Sequence, residues 1–194
     1  MTTRRRTLIL IVIAGVFVAH CLYLSVVAED AFISLRFAQH LAAGQGLVWN
    51  AGDAPVEGYT NFLWVLLCAG LIAAGLDPVV WAPVLGIVAG VLVVVWTWRY
   101  ARDVYGQDAT AALVPCALVA VSGPVAVWAS SGMETVLFAW LVTATCFHAA
   151  RYAAGRRTDA WAAAAFAVAA TLTRPEGLLV AVILMALALA TRRS

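Results

Sequence analysis

Apolar runs alternate with short polar breaks along this chain, at Leu8–Ala28, Phe62–Leu76, Val79–Trp98, Ala109–Ala129, Thr135–Ala150, Trp161–Thr173 and Leu178–Ala190. An apolar helix of about 20 residues crosses the hydrocarbon core of a bilayer, so the pattern predicts an all-α fold, a polytopic transmembrane helix bundle. The long polar stretch after the first run breaks the rhythm. Within it, DAFISLRFAQHLAAGQG predicts an amphipathic helix with Phe32, Leu35 and Leu41 on one face and the more polar Arg36, Gln39 and His40 elsewhere. Gly44 and Gly46 end it, the acids at its start suit the positive end of a helix, and a helix of this kind lies in the membrane interface. Gly58 and Asn61 flank a turn into a second interfacial helix, for which Thr60 or Asn61 is a good N-cap. The Ala-rich run AWAAAAFAVAA predicts close helix packing.

The arginines set the topology. All 12 basic residues are Arg. If all seven runs crossed, Arg4, Arg5 and Arg6 would lie inside while Arg99, Arg102, Arg151, Arg156, Arg157, Arg192 and Arg193 lay outside, against the excess of basic residues in cytoplasmic loops. If Phe62–Leu76 instead lies along the outer interface, every later loop changes side. Then all but Arg36 and Arg174 of the 12 arginines are inside, and Glu29, Asp30, Asp53, Glu57, Asp77, Glu134 and Glu176 are outside. The expected architecture is a single membrane domain over residues 1–194, with about six spans and both termini in the cytosol. Its first outer loop, residues 29–78, holds two juxtamembrane helices.

Composition agrees with a membrane protein: 64% of residues are hydrophobic and 11% charged, against roughly 25% charged in soluble domains. The net charge of +2 is small, and no basic run suggests nucleic acid. Cys21, Cys68, Cys116 and Cys146 each sit singly in an apolar run without metal-ligand spacing, as small core residues do. His20, His40 and His148 form no ligand set. The first run is long enough to span and lacks a clear cleavage site, so it is expected to stay as an anchor.

Polar residues fall in four outer patches: AED around Asp30, WNAGDAPVEGYTN from Trp49 to Asn61, SSGMET around Glu134, and LTRPEG around Arg174. Ionisable groups at a membrane are costly unless they meet water, a partner or a substrate. Trp49, Tyr59, Trp64 and Trp128 suit either stacking on a ligand or the aromatic belt of a bilayer.

The run EDAFISLRFAQHLAAGQGLVWNAGDAPVEGYTNFLW, followed by SGMET and TRPEG, resembles the N-terminal part of polytopic membrane glycosyltransferases of the C superfamily. The likeness is to the arabinofuranosyltransferase and lipopolysaccharide-sugar-transferase branch, which uses polyprenyl-phosphate sugars. In that superfamily an acidic residue opening the first outer loop is the catalytic base, and a second acidic motif lies in the next outer loop. The resemblance places Asp30 at the base, with Glu29 beside it, and Glu134 at the second position. It implies transfer of a sugar from a polyprenyl-phosphate donor to a glycan or lipid acceptor on the outer face of the cytoplasmic membrane. A carboxylate base suits the attacking hydroxyl, and Arg174, or else Arg36, suits the donor phosphate. Glu57, Tyr59, Asn61 and Glu176 complete the expected substrate-binding set. No cofactor is certain; Asp30 and Glu134 would supply hard oxygen ligands to a divalent cation, and members of the superfamily differ in metal use. Those members are longer, which leaves open a fragment, an inert assembly subunit, or a partner chain that supplies further spans. A lipid-linked-sugar transporter ranks lower, because the spans are nearly free of charge.

Overall fold

A computed structural model describes residues 2–56 and 58–192, without the side chains of Leu189 and Arg192. Among the described residues the regular structure is all helical: α1 (Thr3–Tyr23), α2 (Ala31–Ala42), α3 (Phe62–Ala73), α4 (Pro78–Asp103), α5 (Leu113–Ala120), α6 (Gly123–Ser130), α7 (Thr135–Ala153), α8 (Asp159–Thr173) and α9 (Glu176–Arg192). Three helices, α1, α4 and α7, are long and apolar enough to cross a bilayer, and α5 with α6 makes a fourth if the bent pair is one span.

The run drawn as Ala109–Ala129 is two helices meeting at 61°. Pro124 in the first turn of α6 explains the break. Proline has no N–H to give to the carbonyl four residues back, and its ring crowds that carbonyl. The carbonyl concerned is that of Ala120, which accepts from His20 Nδ1 at 3.3 Å instead. The first run is also shorter than drawn, since α1 ends at Tyr23 and the backbone N–H of Ala28 donates to the Ser131 carbonyl at 2.9 Å.

Small residues bring the long helices together. A Cβ on Gly86 would lie 2.2 Å from the Ala129 carbonyl oxygen, and one on Gly90 would lie 2.3 Å from the Phe17 ring. The core between them holds Phe17, Cys21, Val93, Val94, Cys116 and Val136. Cys21, Cys68 and Cys116 are buried and Cys146 is half-buried, all as free thiols.

The amphipathic helix turns Leu35 and Leu41 to the core as its pattern suggests, but not Phe32. Ala31, Ser34, Leu35 and Ala38, at helical spacing, are buried with Phe37, whereas Phe32 and Ile33 are exposed. Small side chains allow α2 to lie close to α3 and to the loop before α7. Gly132 in that loop has φ +77°, and a Cβ there would meet the Ala31 Cβ at 3.3 Å.

Charged groups collect at the two ends of the bundle. At the end opposite Glu134, Asp159 opens α8 and is 6% exposed. It accepts from His148 Nδ1 at 2.6 Å, pairs with Arg151 Nε and Arg156 Nε at 3.3 Å, and Arg151 continues to Asp103 at 3.8 Å. Burial pushes the Asp159 carboxyl up, but the His148 hydrogen bond and the charges of Arg151 and Arg156 together outweigh it, leaving the group below its ordinary value. A lowered carboxyl contributes stability above its unfolded value of about 3.9, and loses it as pH falls through the folded value. Asp159→Asn is therefore expected to lower the unfolding temperature at pH 7 by about 2–4 °C, with the difference shrinking in acid. Thermal scans in detergent across pH check this.

Candidate functional site

Three of the four polar patches, with α2, converge at the other end of the bundle. The centre is Glu134, which precedes α7 and is 6% exposed. Its Oε2 accepts from Asn61 Nδ2 at 2.8 Å, and the same amide donates to Ser34 Oγ at 2.8 Å. Asn61 occupies the N-cap position of α3, but its side chain makes no capping bond. It ties α2, α3 and α7 together instead. Beside it, Trp64 Nε1 donates to the Gly132 carbonyl at 3.1 Å, which holds the loop before Glu134 against α3.

Arg174 reaches Glu134 because of the proline after it. A residue before proline is driven out of the α region; Arg174 is extended at φ −152° and ψ 137°, so its side chain leaves the line of α8. Its Nη1 lies 3.8 Å from Glu134 Oε1 and its Nη2 lies 3.6 Å from Glu176 Oε1. Both separations exceed those of a direct hydrogen bond. The guanidinium is thus held by charge, with its N–H groups unspent among the described residues, and its side chain is 38% exposed.

Asp30 and Glu29 flank the turn that packs on the Gly132 loop but lie outside this network. Both are exposed, and among the described residues neither carboxylate has a hydrogen bond or ion pair. Asp30 precedes Ala31, the residue that faces Gly132, so its backbone is fixed while its carboxylate is free.

Arg36 belongs to a second cluster on the exposed face of α2. Its Nε donates to the Trp49 carbonyl at 2.7 Å and its Nη2 to Asn50 Oδ1 at 2.8 Å, with Asn50 in turn bonded to Asp53 at 2.9 Å. The guanidinium also sits 4.7 Å from the centre of the Trp49 ring. This cluster folds the loop back on α2. Tyr59 serves the same end, its ring 4.9 Å from that of Phe37. Glu57 lies outside the described residues.

The structure therefore groups Asn61, Glu134, Arg174 and Glu176, leaves Glu29 and Asp30 free beside them, and draws Arg36 and Tyr59 into the loop. Ser34 is the member that sequence reasoning missed. Its signal is its place at the spacing of Ala31 and Ala38, on the face that turned out to be buried. Among the described residues no group of three or more His, Cys, Asp and Glu side chains is placed to hold a metal ion. Comparison of this chain with protein-family models, with curated proteins and with solved structures gives no match.

Proposed function

We propose that this chain is the N-terminal membrane module of a glycosyltransferase that moves a sugar from a polyprenyl-phosphate donor to a glycan or lipid acceptor at the outer face of the cytoplasmic membrane. The observation that carries the reading is Arg174: a partly exposed guanidinium, held by a buried glutamate and making no hydrogen bond among the described residues. A lipid phosphate offers such a group the fork of acceptors it lacks. Asp30 supplies the complementary chemistry. The acceptor hydroxyl oxygen attacks the anomeric carbon, the bond from that carbon to the phosphate oxygen breaks, and the polyprenyl phosphate leaves with the electron pair. The hydroxyl proton passes to the Asp30 carboxylate, while Arg174 offsets the charge on the departing phosphate.

The proposed topology has about six spans, with α2 and α3 at the outer interface and both termini in the cytosol. Support comes from α3, whose 12 residues give about 18 Å against a hydrocarbon core of about 30 Å. The helix starts at the Asn61 to Glu134 bond and ends five residues before Pro78. The first turns of α4 lie at that same end, since a Cβ on Gly132 would be 3.9 Å from Pro83 Cδ. Single cysteines check the arrangement. Asp77→Cys is expected to react with a membrane-impermeant maleimide from the outside and Arg157→Cys only after permeabilisation.

The test of function is transfer of labelled sugar from polyprenyl-phosphate donors in membranes that carry the chain, with and without added membrane proteins from the same cells. Transfer above matched control membranes supports the transferase; none under either condition overturns it. An inert assembly subunit is the second reading. Two carboxylates around one arginine at 3.8 and 3.6 Å favour it, because they already balance the charge that a phosphate would need.

A further inference from the structure

Glu134 and Arg174 stand short of the contact their chemistry favours. An arginine and a carboxylate commonly meet through two parallel hydrogen bonds, yet Arg174 Nη1 is 3.8 Å from Glu134 Oε1. Glu134 is 6% exposed, so little water competes for its oxygens. The arginine is restrained from its own side. Its Nη2 is drawn to Glu176 Oε1 at 3.6 Å, and its backbone is fixed, with its N–H on the Ala170 carbonyl and its carbonyl under the Gly177 N–H, both at 2.9 Å. The carboxylate is held from the opposite side. Asn61 Nδ2 donates to Oε2 at 2.8 Å and to Ser34 Oγ at 2.8 Å. An ionised carboxylate only accepts, so it fixes which way the amide points. Asn61 in turn cannot follow a moving carboxylate. One turn along α3 the Trp64 indole is fully buried and donates to the Gly132 carbonyl at 3.1 Å, which locks α3 against the loop before Glu134.

We infer that Asn61 is a positioning residue: it restrains Glu134 from closing on Arg174 and so keeps an edge of the guanidinium open. The inference rests on the phosphate-binding role given to Arg174 above. It also takes Asn61 out of the set expected to contact substrate, because both N–H groups of its amide are used within the protein. A buried glutamate without that restraint would draw the guanidinium into a two-bond pair and occupy the edge that a phosphate needs.

Phenylglyoxal, which reacts with open guanidinium groups and more slowly with paired ones, tests this on the full chain in phosphatidylcholine vesicles, with each labelled arginine read by mass spectrometry. Asn61→Leu keeps the approximate shape and removes the donor. Labelling of Arg174 is expected to slow at least about threefold, while Arg36, bonded to Trp49 and Asn50, keeps its wild-type rate. Asn61→Leu with Glu134→Gln removes the carboxylate that would close, and is expected to restore the Arg174 rate. In transfer assays Asn61→Leu should raise the donor KM about tenfold with kcat within about twofold of the wild type, and the double variant should reverse most of that rise. A residue that only holds the fold together predicts the opposite, a loosened site in which Arg174 reacts faster. Faster or unchanged labelling overturns the inference. If Asn61→Leu does not fold, Asn61→Ser, with a donor one atom shorter, carries the same comparison. Slower Arg174 labelling in Asn61→Leu with no transfer by any form would keep the restraint and sink the transferase; transfer by the wild type with faster or unchanged labelling in the variant would do the reverse.

Discussion

Asp30→Asn is expected to lower sugar transfer at least about a hundredfold at matched expression, as loss of a general base would, while leaving the protein folded. The second half of that expectation follows from the site. Asp30 is exposed and its side chain makes no capping bond to α2, so asparagine removes the charge without stranding a partner. Its backbone remains fixed by the Ala28 to Ser131 hydrogen bond and by the contact of Ala31 with the Gly132 loop. Turnover should fall with little change in donor KM, because a base acts on the proton lost during attack rather than on binding the ground state. Glu29→Gln is the matched control, differing by one position on the same exposed turn. An Asp30→Asn protein that transfers sugar as well as the wild type would remove the aspartate from the chemistry.

The residues that meet at the site were legible in the sequence because charge is scarce there. With 11% charged residues, each acid or arginine in an apolar chain has to be placed somewhere tolerable, and the positive-inside argument sorted most of them by side. Asn61, Glu134, Arg174 and Glu176 do come together at one end. Periodicity was less informative. In α5 and α6 apolar residues run through the break, and only Gly123 and Pro124 mark where the helix turns by 61°. In α2 the large apolar residues marked the buried side only in part: Leu35 is buried and Leu41 packs on the core, but Phe32 is exposed, and the rest of the buried stripe is Ala31, Ser34, Phe37 and Ala38. Burial next to other helices selects small side chains, whereas a lipid-facing surface accepts large ones. Hydrophobicity alone cannot separate those two environments, and Ser34 was overlooked for that reason. Arg36 illustrates a different limit, since its carbonyl and amide partners lie 13 and 14 residues along a loop, with no spacing rule to link them.

Arg174→Gln should lower both stability and transfer, and the two losses can be separated. Glu134 is buried, and without the guanidinium its carboxylate retains the Asn61 hydrogen bond as its one direct partner among the described residues. Removing one member of a fully buried pair costs about 3–5 kcal/mol. Here the arginine side chain is 38% exposed and 3.8 Å away, so a loss of roughly 1–3 kcal/mol is expected. Glu134→Gln on the same background removes the stranded charge while its amide oxygen still accepts from Asn61. The double variant should therefore regain most of the unfolding temperature lost by Arg174→Gln. Transfer should stay down at least about tenfold in both, with a raised donor KM, because neither protein has a cation for the phosphate. Arg174→Lys restores charge but not the fork, and is expected to fall between the wild type and Arg174→Gln. Recovery of transfer along with stability in the double variant would show that Arg174 acts only through the fold, and would shift the phosphate-binding role to another group.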